Sequence, residues 1–293
     1  MLVPRLVHKR LHPEGHRVVE VRTISGSQVF KLETYSLEFE GVIANSPPTP
    51  DAVLIKRGQE VSISPEPWSE YCRWHSGPLD RRDDPLHRIY CTQNARGYCR
   101  QHRRSPRFLY DECFSGGSRG LQACRALDEE LKAEYAVYLA GFPSQGGLSV
   151  KVGVTRRFRL LDRISEQPHI AATVVAVLDS AYRARRLELE IYKRGLARQA
   201  TRKSGILRGL RRLETIVTLA SAAEKASTLA GTGWDGRLFS VSPPADLREP
   251  GRPPTGSRVV LHSYWGGLLG VLSSGRLLWF RATDLMHRSS LLL

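Results

Sequence analysis

The chain is poor in methionine, asparagine and glutamine, and its five cysteines all lie between Cys72 and Cys124. An odd number of cysteines confined to one segment argues against a disulfide framework. No apolar run approaches the roughly 18 residues needed to cross a bilayer. The opening stretch MLVPRLVHKRLHPEGH is broken by charge and proline before the apolar core of a signal peptide could form. A soluble, cytoplasmic protein is expected. No repeat of solenoid period is found. Acidic residues are in short supply: 29 Asp and Glu stand against 44 Lys and Arg, a formal charge of +15. That balance is the electrostatic footprint of a protein that meets a polyanion. A long basic amphipathic helix with a Trp or Phe face is also lacking, so nucleic acid is the expected partner rather than a membrane. With 41% hydrophobic residues in 293, the chain can bury a sizeable core and is not a disordered tail.

What is present divides into four stretches, and an α+β fold is expected. Residues 1–68 alternate apolar and polar positions in runs such as RVVEVRTI and DAVLIKRGQEVSI, which predicts antiparallel β structure. Residues 69–126 are rich in cysteine and arginine with little periodicity, so something other than an apolar core must hold them. Residues 127–232 read as an α/β region: a short helix, a hairpin at VYLAGFPSQGGLSVKVGV, a helix at Arg156–Glu166, a strand at HIAATVVAVL and two basic helices. Residues 233–293 return to strand character, with turns at Gly266-Gly267 and Ser274-Gly275. The β stretches at the two ends are expected to join in one small barrel-like sheet flanking the middle.

Metal is the better reading of the cysteine segment. GYCRQH is a Cys99-x2-His102 pair in which a turn presents thiolate and imidazole to one ion, and Cys72 and Cys91 complete a tetrahedron of three cysteines and one histidine. His75, Cys113 and Cys124 compete with His102 for the fourth position. A closed site of four protein ligands is a structural zinc that contributes folding free energy. Arg96, Arg100, Arg103, Arg104 and Arg107 surround it, so a phosphate-facing surface is expected there. Between Arg183 and Arg212 basic residues crowd again with only Glu188 and Glu190 opposing them, among them Arg194, Arg198, Arg202, Lys203 and Arg208. With no recognition helix or RNP aromatic signature, this charge predicts backbone reading of structured RNA or duplex nucleic acid.

The order of tyrosine-bearing strand, hairpin, strand ending in glycine, arginine helix, strand, then A-x-x-x-E on a helix resembles the GIY-YIG nuclease superfamily. It is most similar to a branch of archaeal and bacterial proteins of unknown function that have an upstream cysteine segment and KVG in place of YIG. The resemblance covers Tyr135 to about Lys203. It implies a GIY-YIG-like central domain with a zinc-knuckle insertion. By position, Val137-Tyr138-Leu139 stands for the first motif and Lys151-Val152-Gly153 for the second. The superfamily's roles would then fall to Tyr138 in activating water, to Arg163 or Arg159 in steadying the scissile phosphate, and to Glu188 in holding a single Mg²⁺, with Glu190 competing. Lys151 replaces the second tyrosine, and the superfamily's downstream asparagine has no counterpart. Two functions follow as expectations. The first is a zinc-containing binder of structured RNA or of a ribonucleoprotein such as the ribosome, using Arg156, Arg157 and Arg159 with the arginines above. The second is an Mg-dependent endonuclease. A homodimer stays open.

Overall fold

The computed structural model describes all residues except 24–25, 65–69, 116–119, 145–146, 200–214 and 287–288. Arg202, Lys203 and Arg208, and the hairpin loop residues Gln145 and Gly146, lie outside the described residues. The fold is mixed α/β with two sheets, neither closed into a barrel. The strands are β1 (Val3–Thr23), β2 (Gly26–Asn45), β3 (Ala52–Lys56), β4 (Glu60–Ser64), β5 (Tyr135–Ser144), β6 (Gly147–Arg156), β7 (Ala171–Leu178), β8 (Arg237–Val241), β9 (Arg258–Trp265), β10 (Leu268–Ser273), β11 (Arg276–Arg281) and β12 (Ser290–Leu292). The helices are α1 (Pro106–Ser115), α2 (Gly120–Glu130), α3 (Leu160–Ser165), α4 (Ala181–Lys193), α5 (Thr215–Ala230) and the short α6 (Ala282–Leu285). The chain forms two compact units, each discontinuous in sequence.

The first unit comprises Met1–Arg10, Leu37–Leu109 and Pro244–Leu293. Its five-stranded sheet runs β11-β10-β9-β4-β12, every pairing antiparallel. Positive φ at Gly266 and Gly267, and at Ser274 and Gly275, turns β9 into β10 and β10 into β11. Two consecutive residues of that conformation match the right-handed twist of the flanking strands. Val61, Ile63, Val259, Leu261, Leu269, Val271, Phe280 and Leu291 supply the buried face. Of the N-terminal stretch, β4 and the bridge at Leu2 thus join the C-terminal strands in one sheet, whereas β1, β2 and β3 belong to the other sheet, and the barrel-like closure is not formed. Both outer edges are already used: Leu2 bridges Leu291 on β12, and Gly251 bridges Phe280 on β11.

The second unit comprises Leu11–Ser36 and Tyr110–Pro243. Its strands run β6-β5-β7-β8 and continue to the Lys31–Tyr35 part of β2, which pairs parallel with β8. β5 is central: each residue from Tyr135 to Ala140 is at most 1% exposed. Such a strand, apolar on both faces, must be covered on both sides. The hairpin read from the sequence is formed, with Tyr138 opposite Gly153. A Cβ on Gly153 would lie 2.7 Å from Cζ and Oη of Tyr138, so glycine is what lets the tyrosine ring cross the neighbouring strand. α4 starts at a double cap. Ser180 accepts from the Arg183 N–H, and the Asp128 carboxylate on α2 accepts from the Ala181 and Tyr182 N–H groups and the Ser180 hydroxyl. A carboxylate there satisfies orphan donors and complements the helix dipole, fixing the axis that carries Glu188.

Candidate metal centre and the polar cluster around Tyr138

The cysteine segment of the first unit is built on two extended stretches. Tyr71 bridges Asn94 and His75 bridges Tyr90, with Cys72 N–H bonded to the Gln93 carbonyl and Cys91 N–H to that of Trp74. This places Cys72 and Cys91 side by side. Gly97 with φ 83 turns the chain, and a short 3-10 turn at Arg100–His102 brings His102 back over Cys99. The Sγ atoms of Cys72, Cys91 and Cys99 and Nδ1 of His102 lie within 4.8 Å of one another and could hold a metal ion. Cys72 Sγ to His102 Nδ1 is 3.6 Å, Cys99 Sγ to the same nitrogen 3.2 Å, and Cys91 Sγ to Cys99 Sγ 3.9 Å. A tetrahedral ion with bonds of roughly 2.0–2.3 Å holds its donors roughly 3.3–3.8 Å apart, so these three spacings lie close to those of a ligand set, while the group as a whole extends to 4.8 Å. Burial pushes the Cys91 thiol up to about 11. Burial also opposes ionisation of Cys99, but the His102 backbone N–H and the two neighbouring cysteines outweigh it and lower that thiol. Burial lowers His102, keeping its imidazole neutral as a ligand requires, and the ring stacks on Trp74 at 4.2 Å.

The rivals for the fourth position are otherwise engaged. Nδ1 of His75 accepts from the Gly77 N–H, and its Nε2 faces Arg88. Cys113 and Cys124 form a disulfide with Sγ–Sγ 2.11 Å. That corrects two expectations, the absence of disulfides and the candidacy of these cysteines as ligands. The cause is helical structure where the sequence shows little periodicity: Cys113 near the end of α1 and Cys124 in α2 face each other fully buried. Removing this pair from an odd total leaves the three cysteines that such a site needs beside one histidine.

Arg5 was not legible in the sequence and organises the site from 67 residues away. Its buried guanidinium donates to Asn45 Oδ1 at 2.5 Å, to the Cys72 carbonyl at 3.1 Å and to the Cys91 carbonyl at 2.8 Å. The rings of Tyr71 and Tyr90 lie 5.6 and 5.5 Å from it. Around the ligands, Arg73, Arg96, Arg100, Arg103 and Arg104 are exposed. Arg107 instead turns inward and donates to the Gly77 carbonyl.

In the second unit a polar chain runs beneath the hairpin. Gln167 donates from Nε2 to the Tyr138 hydroxyl at 2.7 Å and to the Arg163 carbonyl at 3.3 Å, while its Oε1 accepts from Lys151 Nζ at 2.9 Å. Tyr138 is 1% exposed, and burial raises its phenol, with the positive charge of Arg163 opposing the shift and the negative charge of Glu188 adding to it. Glu188 is also buried. Arg185, three residues earlier on α4, donates to its carboxylate, and burial still holds the carboxyl above its usual range against the pull of Arg185 and Lys151. Glu190 points outward to Arg194 at 2.7 Å, so of the two glutamates only Glu188 faces the cluster. Arg159, at the N-cap of α3, and Arg163, within it, both reach Glu166, at 3.5 and 3.0 Å. Arg157 is exposed and paired with Glu134, and Arg198 is exposed at the edge of β6. Arg156 was expected on the surface and is buried, its guanidinium 4.7 Å from the Tyr110 ring and 5.2 Å from that of Phe158. As the last residue of β6 it points to the inner face, so it offers no phosphate contact.

Among the described residues no helix is long and apolar enough to cross a membrane. Comparison with protein-family models, with curated proteins and with solved structures finds no match.

Proposed function

We propose that this is a nucleic-acid-binding protein in which zinc, held by Cys72, Cys91, Cys99 and His102, fixes a surface of arginines that reads backbone phosphate. The observation that carries this reading is the placement of exposed arginines directly after three of the four ligands: Arg73 follows Cys72, Arg100 follows Cys99, and Arg103 and Arg104 follow His102. Arg73, Arg96, Arg100 and Arg104 have no acid partner among the described residues. An ordinary surface intersperses acids with its bases, and this one leaves a set of cations at spacings that the metal fixes. Zinc suits three thiolates and one imidazole in a closed site, where its role is structural. Phosphate contacts of this kind position a protein on a polymer without reading its sequence. Structured RNA or a ribonucleoprotein such as the ribosome is favoured over DNA, because among the described residues no element is built as a recognition helix.

The Tyr138 cluster supports binding over cleavage on a GIY-YIG-like scaffold. Glu188 is committed to Arg185 and the Tyr138 phenol to Gln167, so the groups that hydrolysis would offer to Mg²⁺ and to water are already partnered. One observation favours the second reading, an Mg-dependent endonuclease: the charges of Arg163 and Glu188 both act on the buried Tyr138 phenol. The deciding measurement is fluorescence anisotropy of a labelled RNA hairpin and a DNA duplex across a salt series. Replacing Arg73, Arg100 and Arg104 together by alanine should weaken binding for all sequences and flatten the log–log salt slope by roughly 2–3, since each lost contact removes roughly 0.7–0.9. Unchanged affinity and slope overturn the proposal. Mg²⁺-dependent cutting of either substrate, lost in Tyr138→Phe, would establish the second reading instead.

A further inference from the structure

We infer that Arg5 is the counter-ion of the metal centre, and that the site therefore takes a divalent ion on three thiolates and a neutral imidazole with a net charge of −1. The inference rests on the metal reading above and deepens it by assigning the charge state of the centre. Arg5 is 5% exposed. A guanidinium cannot shed its proton in a protein, and a buried charge is tolerated only when it is paired. Arg5 has no carboxylate partner among the described residues. Its donors end on one amide oxygen and two carbonyls, and its faces on two tyrosine rings.

Both of those carbonyls belong to metal ligands, Cys72 and Cys91. A 2+ ion on three thiolates and one neutral imidazole sums to −1, which the single positive charge of Arg5 neutralises. Two thiolates with two imidazoles would give a neutral centre and leave Arg5 uncompensated. Four thiolates would give −2 and leave one charge over. The donor set and the buried charge of Arg5 therefore match only in this combination. Arg5 also holds Asn45, whose amide donates to the Thr49 carbonyl, so charge and position arrive through one side chain. It touches the ligands' backbone and no reacting atom, and is a positioning residue.

The test uses the full chain and Zn²⁺, with Co²⁺ as the spectroscopic probe. Elemental analysis of wild type comes first. Absence of metal there, with no Co²⁺–thiolate absorption on titration, would remove the metal reading itself and this inference with it. Where metal binds, Zn²⁺ affinity is measured by competition with a chromophoric chelator in wild type, Arg5→Gln and Arg5→Lys. The loss of an outer-shell partner should cost Arg5→Gln about 10–100-fold in affinity. Arg5→Lys, which keeps the charge and loses the planar fork, should keep most of the affinity. Melting of the metal-free proteins should show Arg5→Gln no less stable than wild type, because without thiolates the buried arginine has no counter-charge. Equal affinity in Arg5→Gln, or equal losses in both variants, would overturn the inference, the latter by showing that hydrogen bonding alone is at work. Calorimetry on wild type in buffers of different ionisation enthalpy keeps the test open if the variants do not fold. Near-neutral pH should release about three protons per ion, since free thiols titrate near 8.5. Release of one or none would mean retained thiols and a different net charge, the lowered Cys99 thiol accounting for at most one proton fewer than three.

Discussion

Replacing Arg185 by methionine should destabilise the second unit by about 3–5 kcal/mol, the usual cost of stripping one partner from a buried ion pair. Arg185 and Glu188 side chains are 4% and 8% exposed, so solvent screens the pair little and no discount for exposure applies. Methionine preserves the length of the stem and removes the charge, leaving the Glu188 carboxylate buried near neutral pH with only Lys151 for compensation. For a unit of this size the loss corresponds to a fall of about 10 °C in thermal midpoint. The sign of the pH response follows from the raised carboxyl. Because the folded Glu188 holds its proton more tightly than the unfolded one, the penalty grows as pH rises through the folded pKa and is smallest below the unfolded value of about 4.3. Circular-dichroism melts at pH 5 and pH 8 should therefore show the larger deficit at pH 8. Arg185→Met combined with Glu188→Leu should recover most of it, since a buried pair replaced by apolar groups is often neutral. Glu188→Gln alone should also destabilise, by leaving Arg185 unpaired, so any activity it loses must be judged against its folded fraction. An Arg185→Met midpoint within about 2 °C of wild type at pH 8, or a double variant as unstable as the single, would refute the reasoning.

Three further outcomes are expected. Gly153→Ala should cost about 1–3 kcal/mol by overpacking, since its Cβ would meet the Tyr138 ring that Gln167 holds in place; denaturant midpoints read this, and Tyr138→Leu in the same chain should restore part of it. His169 is buried with Nδ1 facing the Gln167 carbonyl at 2.7 Å, and burial lowers it to about 4. The unfolded histidine takes its proton near 6.5, so stability should fall as pH drops from about 6.5 towards 4, by at most about 1.4 kcal/mol per pH unit, and His169→Gln should flatten that slope in urea melts. Elemental analysis of protein purified without affinity metal should give one zinc per chain, and Cys99→Ser should lower both the metal content and the thermal midpoint of the first unit.

Much of the second unit was legible because its signals are local. The hairpin, a helix ahead of Glu166, the strand at 171–178 and the helix that carries Glu188 were each readable within a dozen residues, although the helix expected from Arg156 begins only at Leu160, after a 3-10 turn. The cluster that could hold a metal ion was legible in part for the same reason, since Cys99-x2-His102 is a single turn, while Cys72 and Cys91 were picked by residue type. What escaped depends on distance in sequence or on competition between equal candidates. Nothing near Arg5 distinguishes it from the many other arginines, because its meaning comes from Cys72 and Cys91. Arg156 sits beside Arg157 and Arg159 and differs from them in ending β6 while they lie in the 3-10 turn that follows, a boundary that apolar spacing does not fix to the residue. Gln167 carried a weak signal, a polar residue just after the arginine helix. The repeated ligand–arginine adjacency was readable as Cys-Arg, Cys-Arg and His-Arg-Arg. Cys113 and Cys124 were read by chemistry rather than by helix phase, and phase decided them.

The sheet order β11-β10-β9-β4-β12 has a kinetic consequence. β4 lies between β9 and β12, strands that follow it by roughly two hundred residues, and Leu2 pairs with Leu291. Such pairings carry high contact order and must wait for the intervening chain. On the ribosome, residues 110–243 can collapse around β5 before β9 has been made. The ligand-bearing segment at 72–102 and its Arg5 meanwhile belong to a sheet whose remaining strands do not yet exist. Capture of a metal ion by that segment would give it local order while it waits for them, and a nascent chain halted after residue 243 should show the second unit protected from protease and the first still open.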